Sequence, residues 1–151
     1  MMDWTTDMVK QATEYIIRNK VENIVLVDRS ARGFYIPFFK YWNNYFLDAE
    51  KPKVYFINPD TSLGENEQKE YDSLMKKHHP HLYLRKDKPT IVLDTCIHKG
   101  SSIRSVKRIL DNSGFENVKY GVFADHRENT TDIELDFIST WNLGCYPFHP
   151  D

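Results

Sequence analysis

Residues 91–102, IVLDTCIHKGSS, bring a carboxylate (Asp94), an imidazole (His98), an ammonium group (Lys99) and two hydroxyls (Ser101, Ser102) together around one glycine, Gly100. The apolar run Ile91–Leu93 predicts a strand that ends at Asp94. A loop over Thr95–Lys99 follows, and IRSVKRIL continues as a helix. A strand, a glycine-containing turn and a helix N-terminus form a cradle for phosphate. Backbone N–H groups converge there, the helix dipole favours an anion, and hydroxyls add donors. Lys99, Gly100, Ser101 and Ser102 are therefore the candidate phosphate-binding residues. Asp94, leaving the strand end, is suited to grip ribose hydroxyls or, through water, a metal ion. His98 is suited to accept a proton from a ring nitrogen, since an imidazole titrates near physiological pH, or to hold its loop through a backbone contact. The competing reading is an ordinary strand–turn–helix in which glycine turns the chain and serine caps the helix.

A second loop, Asp28-Arg29-Ser30-Ala31-Arg32-Gly33, follows the strand pattern ENIVLVD at 22–28. Ligands of open α/β sheets sit outside the carboxyl ends of strands. Two such ends carrying ligand-type groups therefore say more than one. Arginines here would neutralise an anionic group and grip it with paired donors. Alternatively, Asp28 caps the turn and both arginines are solvated.

Together these segments resemble the type I phosphoribosyltransferases. Their phosphoribosyl-pyrophosphate motif is an apolar strand, two acids, three variable residues, Thr-Gly, one variable residue, and Thr or Ser. Asp94 stands for the first acid, and Gly100 and Ser102 match. Thr95 replaces the second acid and Lys99 the usual threonine. His98 occupies the place of the acidic general base of 6-oxopurine members. The resemblance implies that Arg29, Arg32 and Gly33 bind pyrophosphate, that Asp94 and His98 are catalytic, and that Mg²⁺ bridges the diphosphate with Asp94 near it. It extends to the tail, where Tyr146-Pro147-Phe148 is similar to the aromatic end of xanthine and guanine transferases, so Trp141 or Phe148 would cover the base. Family members place a lysine after the fourth strand, where this chain has Asp125-His126-Arg127, which leaves the base open with purine favoured. The implied activity is transfer of a phosphoribosyl group between phosphoribosyl pyrophosphate and a nitrogenous base. The alternative is a non-catalytic nucleotide or phosphoribosyl-pyrophosphate sensor, which the loss of a carboxylate at Thr95 favours. A third reading is an interaction module whose working surface is the aromatic helix and tail.

The elements that must position these groups alternate between apolar β-branched runs and helical patterns. Such alternation predicts a three-layer α/β domain with a mainly parallel sheet flanked by helices. Helices are expected at 3–19, 34–47, 69–79 and 101–112, the last closed by Gly114. Strands are expected at 22–28, 54–58, 91–94, 118–124 and 137–140, and 59–68 reads as a polar turn. Helix 34–47, entered at Gly33 with Pro37 in its opening turn, is aromatic on most sides. It is either deeply buried or a subunit interface, hence a possible route to a homo-oligomer.

The 151 residues suit a single domain over 1–151. With 20 basic and 22 acidic residues the formal charge is −2, which gives no electrostatic case for a nucleic-acid or anionic-membrane partner. No membrane span or signal segment is read, so a soluble, cytoplasmic protein is expected. The two cysteines, Cys96 and Cys145, exclude a disulfide scaffold. With His98 and His149 they lack a recognised zinc spacing, and His78, His79 and His81 read as a polar loop run. P-loop, dinucleotide-binding and dehalogenase-type patterns are all incomplete.

Overall fold

The computed structural model describes residues 6–59, 68–127 and 133–139. Five parallel strands form one sheet: β1 (Asn23–Val27), β2 (Lys53–Ile57), β3 (Thr90–Ile97), β4 (Val118–Asp125) and β5 (Phe137–Ile138), in the order β2-β1-β3-β4-β5. The helices are α1 (Thr6–Arg18), α2 (Tyr35–Tyr45, entered through a 3-10 turn at Ser30–Phe34), α3 (Gln68–His78), α4 (Pro80–Tyr83) and α5 (Ser101–Asn112).

Side chains alternate across a strand, and here both faces are covered. Ile24 and Leu26 of β1 pack with Ile91 and Leu93 of β3 against Met8 and Ile16 of α1 and Phe38 and Trp42 of α2. Val25 and Val27 point the other way, packing with Val92 against Tyr71 and Met75 of α3 and Val106 and Leu110 of α5. Such double-sided burial explains why the β1 segment reads as a continuous apolar run: all five of its residues are buried. On α5, Ile103, Val106, Ile109 and Leu110 make the buried stripe. Its end is the expected one, with Gly114 at φ +86° and the Phe115 amide donating to the Leu110 carbonyl at 3.0 Å.

Several elements differ from the sequence expectation. β3 does not stop at Asp94 but continues through Ile97, because Cys96 and Ile97 pair with Ala124 and Asp125 of β4. The expected loop over Thr95–Lys99 is thereby reduced to His98 and Lys99 before Gly100. His78 ends α3, and His79 and His81 flank and enter α4, so this run is not loop. The aromatic segment buries only one stripe, Phe34, Phe38 and Trp42, and leaves Ile36, Tyr45 and Leu47 exposed. Among the described residues, no helix is long and apolar enough to cross a membrane.

Candidate functional site

The strand order sets where a ligand can enter. From β1 the chain moves to one edge (β2), then crosses back to β3 on the other side. The connections after β1 and β3 therefore diverge, and a crevice opens between their carboxyl ends. A cleft of about 520 Å³ lies there, lined by Ser30 and the unbroken run Asp94–Ile103. Its volume falls within the range of small-molecule sites, roughly 300–1,000 Å³.

Gly100 takes φ +82° as the residue before α5, and no side chain caps the helix there. An L side chain at this position would be strained, and its Cβ would come within 2.9 Å of Ile133 Cδ1 and 3.5 Å of an Arg104 guanidinium nitrogen. The positive φ and the close approach of these side chains thus favour glycine. The first-turn amides of α5 have no intrahelical acceptor, so with the hydroxyls of Ser101 (exposed) and Ser102 (half-buried) they offer converging donors. Lys99 is exposed beside them, and its carbonyl accepts from Arg104 Nη2 at 3.3 Å.

Asp94 lies inside β3 and is only 5% exposed. Its Oδ1 accepts from Ser30 Oγ at 2.7 Å and from the Thr95 amide at 2.7 Å. Burial pushes its carboxyl above the usual carboxylate range, and the bonds from Ser30 and Thr95 partly oppose that rise. Thr95 is also buried and Cys96 half-buried, while His98 is exposed at the cleft mouth. The His98 ring stacks on His126, centroids 4.8 Å apart and planes 17° apart.

The β1 loop contributes less than its charges suggested. The Asp28–Arg29 peptide is cis, and Arg29 is exposed. Arg32 donates through Nε and Nη2 to the two Asp28 carboxylate oxygens, each at 2.9 Å, and its guanidinium lies 4.9 Å from the Phe56 ring centroid. Arg29, Arg32 and Gly33 do not line the cleft; of this loop only Ser30 does. Asp28 instead borders a separate hollow of about 290 Å³ whose wall includes Phe56, Met75, His78 and His79. Trp141 and Phe148, expected over a base, lie outside the described residues, as do Cys145 and His149.

The structure therefore gathers Asp94, His98, Lys99, Gly100, Ser101 and Ser102 in one cleft and separates Arg32 from them. Ser30 was missed because nothing local ties it to Asp94, 64 residues away. His126 was missed as a partner of His98 for the same reason. Among the described residues no group of three or more His, Cys, Asp or Glu side chains could hold a metal ion. Asp94 is the one carboxylate among the described residues lining the cleft. A protein cage for Mg²⁺ is thus not offered by these residues, and a single carboxylate suits an ion that keeps several waters.

No protein-family model and no curated protein matches the sequence. Solved structures do match in fold. A purine phosphoribosyltransferase from Pyrococcus horikoshii Ot3 superposes with a TM-score of 0.56 at 14% identity, over 87% of this chain and 78% of its own. The xanthine-guanine-hypoxanthine phosphoribosyltransferase of Helicobacter pylori gives 0.54 at 19% identity, over 87% and 75%. A hypoxanthine-guanine-xanthine phosphoribosyltransferase gives 0.58 at 12%, over 88% and 70%. At these identities the likeness is one of architecture, and the five-stranded parallel sheet with helices on both faces is the fold of the type I phosphoribosyltransferases.

Proposed function

We propose that the cleft binds a phosphorylated ribose and that the protein transfers a phosphoribosyl group between phosphoribosyl pyrophosphate and a nitrogenous base, with a purine favoured. The observation that carries this reading is the backbone cradle at the switch point. Gly100 in a left-handed conformation opens onto the N-terminus of α5, with Ser101, Ser102 and Lys99 around it. In this reading the amides and hydroxyls hold the 5′-phosphate, and Asp94 accepts from ribose hydroxyls. Arg29, exposed next to Ser30 and outside the cleft wall, would meet a diphosphate that extends out of the cleft, and His98 faces the base. Arg32 is left out of the reading, because its guanidinium is already engaged by Asp28 and Phe56. Transfer separates charge between an electron-poor ribose and a departing diphosphate, so cationic donors on the leaving group lower the barrier most. Mg²⁺, carried on the diphosphate, would add to that charge stabilisation.

A sensor that binds the same ligand without turnover is the second reading. Thr95 in place of an acid favours it, as does an Asp94 already bonded on one oxygen by Ser30 and Thr95. Fold does not decide between the two. Calorimetric titration with phosphoribosyl pyrophosphate, with and without Mg²⁺, is expected to show saturable binding. Pyrophosphate release across a panel of purine and pyrimidine bases then distinguishes transferase from sensor. Absence of any binding by the folded protein would overturn both.

A further inference from the structure

The chain leaving β4 touches the phosphate loop in three ways. The His126 amide donates to the carbonyl of Ile97, the last residue of β3, at 2.9 Å. The His126 ring lies flat against His98. Beyond them Arg127 holds Asp125 through Nε and Nη2, both at 2.9 Å, and donates through Nη1 to the Ile133 carbonyl at 2.7 Å. The Arg127 amide adds a bond to Asp125 Oδ1 at 3.0 Å. Ile133 is buried, and its Cδ1 occupies the space beside Gly100 that any side chain there would need.

Two contacts thus converge on a loop of three residues. The His126 ring stacks on His98, and Arg127 holds the carbonyl of Ile133, whose side chain lies against Gly100. The Arg127 side chain is only 13% exposed and that of Asp125 24%. A pair this shielded is costly to break, because the remaining partner is left charged and poorly solvated. A loop held in its binding geometry beforehand spares a ligand the cost of ordering it.

We propose that Asp125, His126 and Arg127 are positioning residues for the phosphate loop: the Asp125–Arg127 pair, through Ile133, fixes Gly100, and the His126 ring fixes His98 at the cleft mouth. The affinity part of this proposal rests on the reading of the cleft as a ribose-phosphate site.

The test uses the full chain, ribose 5-phosphate as probe, and the aromatic NMR signals of His98, identified by their loss in His98→Gln. In the unliganded wild type these signals are expected upfield, shifted by the ring current of His126. His126→Ala should move them downfield and weaken ribose 5-phosphate about tenfold. His126→Phe, which keeps a flat ring, should restore both to within about twofold. Arg127→Met should weaken the probe by at least as much as His126→Ala. Lys107→Ala, which breaks an exposed ion pair with Asp111 further along α5, serves as the control and should leave both readouts unchanged. Wild-type signals and affinity in folded His126→Ala and Arg127→Met would overturn the proposal. Should Arg127→Met not fold, the alanine and phenylalanine variants of His126 carry the test. A wild type that ignores ribose 5-phosphate would overturn the functional reading alone. The His98 signals in the unliganded variants would still judge the positioning claim.

Discussion

The loops after β1 and β3 leave neighbouring strands at the same, carboxyl end of the sheet, yet they are built in opposite ways. The β3 loop is short and open. It spends its one left-handed residue, Gly100, on starting α5, whose first residues line a cleft. The β1 loop carries more charge but is closed on itself, coiling into a 3-10 turn in which Arg32 is clamped by Asp28 and stacked on Phe56. Charged side chains advertise a site in a sequence, but a charge with a partner nearby satisfies itself. Backbone donors advertise nothing, yet a helix N-terminus cannot satisfy them internally.

The most damaging change to this contrast is Gly100→Val. A β-branched residue in left-handed conformation costs about 1–2 kcal/mol, and crowding Ile133 costs about 1–3 kcal/mol more. Urea unfolding should show a combined loss of roughly 2–5 kcal/mol, with ribose 5-phosphate binding abolished in whatever folds. Wild-type stability and binding would mean that the loop is not built around this residue.

Next in size is the division of labour between the arginines. Arg29→Ala should weaken phosphoribosyl pyrophosphate more than ribose 5-phosphate by about 10- to 150-fold, the worth of a charge-assisted hydrogen bond. Equal weakening of both ligands would remove Arg29 from the diphosphate.

Ser30 ties the β1 loop to β3 through its bond to Asp94. Ser30→Ala should cost about 0.5–1.5 kcal/mol, the net worth of a hydrogen bond, because the Thr95 amide still serves the same oxygen. Asp94→Asn should do the reverse, raising the melting temperature while lowering ribose-phosphate affinity. The sign follows from burial raising the Asp94 carboxyl in the folded state. Ionising it costs stability, and that cost is lost as pH falls from the raised value to the ordinary carboxylate range. The stabilisation by Asn should therefore fade as pH falls through the raised value towards the ordinary carboxylate range; a melting-temperature difference independent of pH would contradict it.

The smallest effect belongs to Arg32→Ala. Its side chain is 63% exposed, so losing the pair with Asp28 should cost about 0.2–1 kcal/mol, and both ligands should be affected alike. A selective loss of phosphoribosyl pyrophosphate would return Arg32 to the cleft.

Local chemistry by itself determined much of this protein. Double-sided burial makes β1 read as an apolar run, the apolar stripe at helical spacing marks α5, and Gly114 ends it, so the alternating α/β order was legible. The turn into α5 at Lys99–Ser102 was legible too, because glycine followed by hydroxyl residues at a strand–helix junction has a local conformational meaning. The tertiary structure alone decided the rest, since each remaining feature depends on residues far apart in the chain. β3 reaches Ile97 because β4 lies beside it, and Asp94 is bonded by Ser30 because the turn after β1 brings that residue to it. His98 faces His126, and Ile133 crowds Gly100, for the same reason. Periodicity and turn propensity act over a few residues, whereas a strand's extent, a carboxyl's burial and a loop's neighbours are set by pairing across the sheet.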